Sequence, residues 1–110
     1  MAKEIIYVLS NPSMPQCFKV GTTKNLPKRI KDLSGATGVP TPFEVEFAIY
    51  VDGKFATPLE KHIHLILIKY RINKRREFFA VDSHVIRNLF NLLVISESAE
   101  WLDREEEEDP

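Results

Sequence analysis

Glu60, His64 and Arg71 are the residues whose types and spacing point first to chemistry. On a helix turning about 100° per residue, Glu60, His64, Leu67 and Arg71 fall in one stripe, beside a second made of Leu59, Ile63, Ile66 and Tyr70. The second stripe is an ordinary apolar core face. The first sets a carboxylate, an imidazole and a guanidinium along one side, an arrangement suited to a metal-bound phosphate. The same residues allow a plainer reading, in which Glu60 caps its own helix and His64 and Arg71 are surface groups. Further on, Lys69–Arg76 interleaves basic and aromatic side chains, which suits contact with a phosphate backbone or simply a solvated basic loop. His62 and His64 leave a helix on different faces, so they do not chelate one ion together, and zinc is not expected. Cys17 has no sequence neighbour resembling a catalytic partner and reads as a small strand residue.

Several elements must position these groups. Glu4–Leu9 is β-branched and aromatic enough for a strand, and Cys17–Gly21 for a second, with Ser10–Pro15 as the loop between them. Strand alternation puts Tyr7 on the face of Ile5 and Leu9, and puts Lys19 opposite Phe18 and Val20. Whether Tyr7 and Lys19 share a side depends on register. A helix starts near Pro27, with Asn25 or Leu26 just outside, and turns Ile30 and Leu33 inward. Phe43–Val51 alternates Phe43, Val45, Phe47 and Ile49 with more polar positions, as a half-buried third strand does. Thr57-Pro58-Leu59-Glu60 combines a capping box with a first-turn proline and predicts a helix to about Arg71. Glu77–Val81 is a short strand or extended segment, and Asp82 or Ser83 caps a last helix through about Ser96.

A chain of 110 residues with 44% apolar content is enough for one domain with a buried core. No apolar run approaches the roughly 20 residues that would span a bilayer. The N-terminus lacks a secretory pattern and there is one cysteine, so a cytoplasmic setting, in a bacterial cell or phage-infected host, is expected. Net charge is -1, but it divides into an excess of five positive charges through Asp82 and six negative charges beyond it. The acidic excess sits largely in Glu105–Asp109, so residues 1–97 are expected to form the domain and residues 98–110 an acidic, frayed tail. A basic body is compatible with phosphate binding.

Taken in order, Ile5-Ile6-Tyr7, Lys19-Val20-Gly21, Arg29 and Leu59-Glu60-Lys61 resemble the landmarks of the GIY-YIG nuclease superfamily. The likeness is greatest to a subgroup common in phage and bacterial proteins, through Ser10-Asn11-Pro12, Phe18–Thr23, Gly38–Phe43, Leu59-Glu60-Lys61 with His64, and Arg76-Glu77-Phe78-Phe79. In the motifs, Ile5 stands where the family has glycine and Lys19 where many members have tyrosine. The resemblance implies an α+β fold, a three-stranded antiparallel sheet flanked by helices in the order β-β-α-β-α-α. It also implies a divalent-metal-dependent endonuclease with Tyr7, Lys19, Arg29 and Glu60 as catalytic residues and Mg²⁺ or Mn²⁺ held by Glu60. In that chemistry Arg29 offers a cationic fork to the phosphate, and Tyr7 activates or positions the attacking water, as a base only if a cation such as Lys19 favours its phenolate.

Nucleic acid, DNA first, is the expected partner, with Lys24, Lys28, His64, Arg71, Lys74, Arg75 and Arg76 as contacts. The alternative is a module on the same fold that binds nucleic acid or protein without cutting. A homodimer is also expected. Ile68 lies about 180° from Leu59, and apolar residues from Val85 to Ile95 surround nearly the whole last helix, so either the two helices cover each other or a second chain does.

Overall fold

The computed structural model describes residues 2–35, 41–72 and 77–102. Its centre is an antiparallel sheet of five strands in the order β4-β2-β1-β3-β5, built from β1 (Lys3–Ser10), β2 (Cys17–Thr23), β3 (Glu44–Asp52), β4 (Phe78–Ala80) and β5 (Ala99–Trp101). Helices α1 (Leu26–Ser34), α2 (Gly53–Ile66) and α3 (Ser83–Ile95) complete the domain, with a 3₁₀ turn at Ile68–Tyr70. The α+β class agrees with the sequence reading. The strand number does not: the sheet has five strands, because two three-residue strands extend the expected three at either edge.

Both faces of the sheet are covered. Ile6, Val8, Val20, Phe47 and Ile49 pack with Ile63 and Leu67 of the α2 segment and with Ile86 and Phe90 of α3. Ile5, Tyr7 and Leu9 point the other way, onto Leu26, Phe43, Ala48 and Phe78, with Ile30 and Leu33 of α1 packed against them. The sequence reading placed Phe43, Val45, Phe47 and Ile49 on one face. A bulge in the β1–β3 register between Val8 and Leu9 pairs Val8 with Phe47 but Leu9 with Val45. One extra residue inverts the alternation, so Phe43 and Val45 join the α1 face while Phe47 and Ile49 join the other.

Helix α2 starts earlier than its sequence suggested. Asp52, not Thr57, is the N-cap, its side chain accepting from the Lys54 N–H at 3.1 Å, and Pro58 lies inside the helix. Glu60 is therefore two turns in and takes no part in capping. The buried line on this segment runs through Ala56, Ile63 and Leu67, whereas Ile66 faces out, so the core stripe is rotated from the one that the apolar spacing indicated. Helix α1 follows expectation, with Asn25 Oδ1 accepting from the Lys28 N–H and a proline in the first turn.

Helix α3 is capped by Asp82 and ends at Ile95. Its exit is a Schellman turn: Ser98 N–H donates to Leu93 O and Glu97 N–H to Val94 O, with Glu97 at φ 63°. The reversal lays β5 against β3, burying Ala99 and setting Trp101 edge-on to Phe47. This strand lies within the stretch expected as tail from residue 98; residues 103–110 lie outside the described residues. Ile86 and Phe90 are buried by the domain's own sheet, while Ile68, Leu92 and Ile95 remain exposed. The last helix thus does not cover Ile68, and nothing in the structure supports the expected homodimer.

Candidate active site at the open edge of the second strand

The sheet brings the expected catalytic residues to one edge. Among the described residues, β4 pairs with β2 from Cys17 to Lys19, and further along β2 the outer backbone groups of Val20 find other partners. Val20 N–H donates to Glu77 O at 3.4 Å, and His64 Nε2–H donates to Val20 O at 2.9 Å. A carbonyl can only accept, so the imidazole carries its proton on Nε2 in this contact and has only Nδ1 left as a lone pair. His64 is thus a clasp between α2 and β2.

Register settles the relation between Tyr7 and Lys19. Tyr7 pairs with Gly21, Leu9 with Lys19, and Lys19 in turn with Phe78. Directly paired residues point to one side, so Tyr7, Lys19, Gly21 and Phe78 share the α1 face. Gly21 makes room for the Tyr7 ring: a Cβ there would lie 2.6 Å from the ring's Cζ and closer still to the hydroxyl. Arg29 reaches down from α1, and its Nε–H donates to the Tyr7 hydroxyl oxygen at 3.3 Å. That bond uses the oxygen as acceptor and leaves the phenolic proton to be donated elsewhere.

Lys19 is largely buried, its side chain 12% exposed, with Nζ 3.8 Å from Glu77 Oε2 and 5.5 Å from the Phe78 ring centroid. Glu60 approaches from α2, with Oε1 3.8 Å from His64 Nε2, too long for a hydrogen bond. Glu60, His64 and Glu77 each place a potential ligand atom within 4.8 Å of the others.

The electrostatics follow from burial. Desolvation pushes the Tyr7 phenol above its ordinary pKa; the Arg29 hydrogen bond and charge pull it down, while Glu60 and Glu77 push it further up. Burial prevails, so Tyr7 is a neutral hydroxyl at neutral pH. Burial likewise lowers Lys19, opposed chiefly by the charge of Glu77. The Arg29 guanidinium is held charged by its bond to Tyr7.

The expected nucleic-acid contacts are distributed less evenly. Lys24, just before the N-cap of α1, and Lys28, on α1 one residue before Arg29, are both exposed. His64, by contrast, is turned inward to Val20. Arg71 closes the 3₁₀ turn and bridges to Phe79. Lys74, Arg75 and Arg76 lie outside the described residues. Glu77 is the participant that the sequence analysis passed over: it stood in a quoted motif, yet only its place at the start of β4, beside Lys19, gives it a role.

The donor set fits a hard divalent cation. Carboxylate oxygens are what Mg²⁺ and Mn²⁺ prefer, and Glu60 and Glu77 bring two of them to one place with the imidazole alongside. Fold and site together define a small α+β domain with a polar, charge-rich cluster at one sheet edge. Residues 4–94 match the model of the T5orf172 domain, and the chain belongs to that family. This corrects the resemblance drawn from sequence: the matched family is T5orf172, a different family from GIY-YIG. The short motifs that suggested it carry structural duties here. Gly21 accommodates Tyr7, and Asn11, buried, donates to Thr41 O at 2.8 Å and accepts from Ser13, tying the β1–β2 loop to the approach to β3. No curated protein and no solved structure matches the chain, and no helix among the described residues is long and apolar enough to cross a membrane.

Proposed function

We propose that the chain is a divalent-metal-dependent endonuclease domain that hydrolyses phosphodiester bonds, with DNA as the first substrate to test. Membership of the T5orf172 family supports a nucleic-acid-acting module. The observation that carries the finer reading is the convergence of Tyr7, Arg29 and Lys19 with the Glu60 and Glu77 carboxylates at the open edge of β2. Glu60 would hold Mg²⁺ or Mn²⁺, which supplies Lewis acidity to a phosphoryl oxygen when bound. Arg29, charged and exposed on α1, neutralises charge developing on the phosphate. Tyr7 donates its proton to orient the attacking water or a non-bridging oxygen, and acts as a positioning hydroxyl rather than a phenolate base. Lys19 adds a nearby positive charge, and Lys24 and Lys28 extend a basic surface at the start of the same helix for the flanking backbone.

Nicking of supercoiled plasmid and cleavage of single-stranded DNA and RNA, each with Mg²⁺, Mn²⁺ or EDTA, test this. Arg29→Ala and Glu60→Ala should each lower cleavage by about 10²-fold or more, the usual scale for removing a charge-stabilising group. Cleavage undiminished in both variants rejects the assignment. A second reading, binding without cutting, draws on the neutral Tyr7, which leaves no base among the three expected catalytic groups of the α1 face. Salt-sensitive retention of oligonucleotide with no cleavage in any metal would decide for it.

A further inference from the structure

We propose that Glu77 is a second carboxylate donor to the cation assigned to Glu60, and that Lys19 is its counter-ion when no metal is bound. This rests on the metal-dependent reading above and adds to it a residue and an exchange of partners. The first support is convergence. Glu60 comes from α2, which packs on one face of the sheet, and Glu77 from the start of β4, yet their oxygens lie within 4.8 Å of one another and of the His64 ring. Two like charges brought this close repel unless a cation sits between or beside them. Lys19 Nζ lies 3.8 Å from Glu77 Oε2, but the Glu77 side chain is 39% exposed, so the contact is loose and open to solvent on that side. A divalent ion offers twice the charge from the side where both carboxylates already point.

The backbone geometry points the same way. Glu77 is anchored by its own carbonyl, which accepts from Val20 N–H, and by Phe78 pairing with Lys19. Its backbone is held while its carboxylate stays partly exposed, in contact with Lys19 and within 4.8 Å of a Glu60 oxygen. His64 spends Nε2 on Val20 O, so the oxygens, rather than the imidazole, are the donors best placed to move. Hard divalent ions are commonly bound through one or two protein carboxylates plus water and substrate phosphate. Released from Glu77, Lys19 would be left beside Tyr7 and Arg29, where a substrate phosphate replaces the lost negative charge.

The test is Mn²⁺ binding by the full chain, read from the electron paramagnetic resonance of free Mn²⁺ without substrate, with circular dichroism to verify folding. The wild type should bind one ion. Glu60→Gln and Glu77→Gln should each weaken binding by about tenfold or more, at least the loss usual for disturbing even a ligand's supporting partners. Lys19→Gln should tighten it, because a competing positive charge is gone. Crystals soaked in Mn²⁺ should show anomalous density within ligand distance of both carboxylates. Weakened binding in Glu60→Gln with wild-type binding in Glu77→Gln, or density touching Glu60 alone, overturns the role of Glu77 and leaves the metal-dependent reading standing. No binding by the wild type overturns both. Equal loss of thermal stability in Glu77→Gln and Lys19→Gln with unchanged Mn²⁺ affinity also overturns it, and reduces the pair to a structural contact.

Discussion

Replacing Gly21 by alanine sets two effects of opposite sign against each other. Alanine restricts the unfolded chain and by itself adds about 0.4–1 kcal/mol of stability where the backbone allows it. Against this, the new methyl would stand 2.6 Å from Cζ of Tyr7, a ring that is 1% exposed and hemmed in by the α1-face core. The obstacle is a rigid ring and not the far end of a flexible chain, so it must move as a body or the β1–β2 pair must separate. Overpacking of this sort costs about 1–3 kcal/mol, which exceeds the gain. At the middle of both ranges the net loss is about 1.3 kcal/mol, which corresponds to a fall in Tm of roughly 5–10 °C for a domain of this size. Moving the ring also breaks the Arg29–Tyr7 bond, so cleavage or oligonucleotide binding should fall more than stability alone explains. Thermal and urea unfolding of Gly21→Ala, Tyr7→Leu and the double variant measure the coupling. A shorter side chain at position 7 relieves the clash, so the double variant should be more stable than the sum of the two losses by about 1 kcal/mol. A Tm at or above wild type, or strictly additive losses, would refute the argument from close approach.

Tyr7 should titrate above the ordinary tyrosine value of about 10 in ultraviolet absorbance. Because its folded pKa is raised, its contribution to stability is fully present below the unfolded value of about 10 and is lost as pH rises beyond it; Tyr7→Phe should flatten that alkaline loss, and an unchanged profile would count against it. Asp52→Ala should destabilise by about 1 kcal/mol as a lost cap, while Glu60→Ala, two turns into α2, should leave Tm nearly unchanged in metal-free buffer. The reverse order would restore Thr57 as the start of the helix. Oligonucleotide affinity should fall steeply with salt and rise on truncation after Arg104, because the excess of negative charge lies beyond Asp82; affinity indifferent to both would discard the charge-separation argument.

What the sequence disclosed and what it concealed divide along one physical line. Local signals were legible: Asn25 and Pro27 announced α1, Asp82 announced α3, and strand alternation put Tyr7 beside Ile5 and Leu9. Features decided by pairing across the chain were not. The bulge opposite Val8 and Leu9 left the third strand looking like one amphipathic face when it serves two. The capping-box pattern at Thr57–Glu60 was a sound local signal overridden by Asp52, because β3 runs directly into α2 and the helix begins where the strand stops. Strand β5 was hidden because its turn uses Glu97 at a positive φ, with no glycine to mark it. The site follows the same rule. Tyr7, Lys19, Arg29 and Glu60 were named from their types and order, but that Tyr7 and Lys19 share a face is a matter of register. That Glu77 belongs with them depends on β4 pairing with β2 over only three residues. Just past that pairing, Val20 N–H meets Glu77 O and Val20 O accepts from His64, which brings the Glu60, His64 and Glu77 side chains together. The short pairing of β4 with β2 is thus what leaves room for the polar cluster.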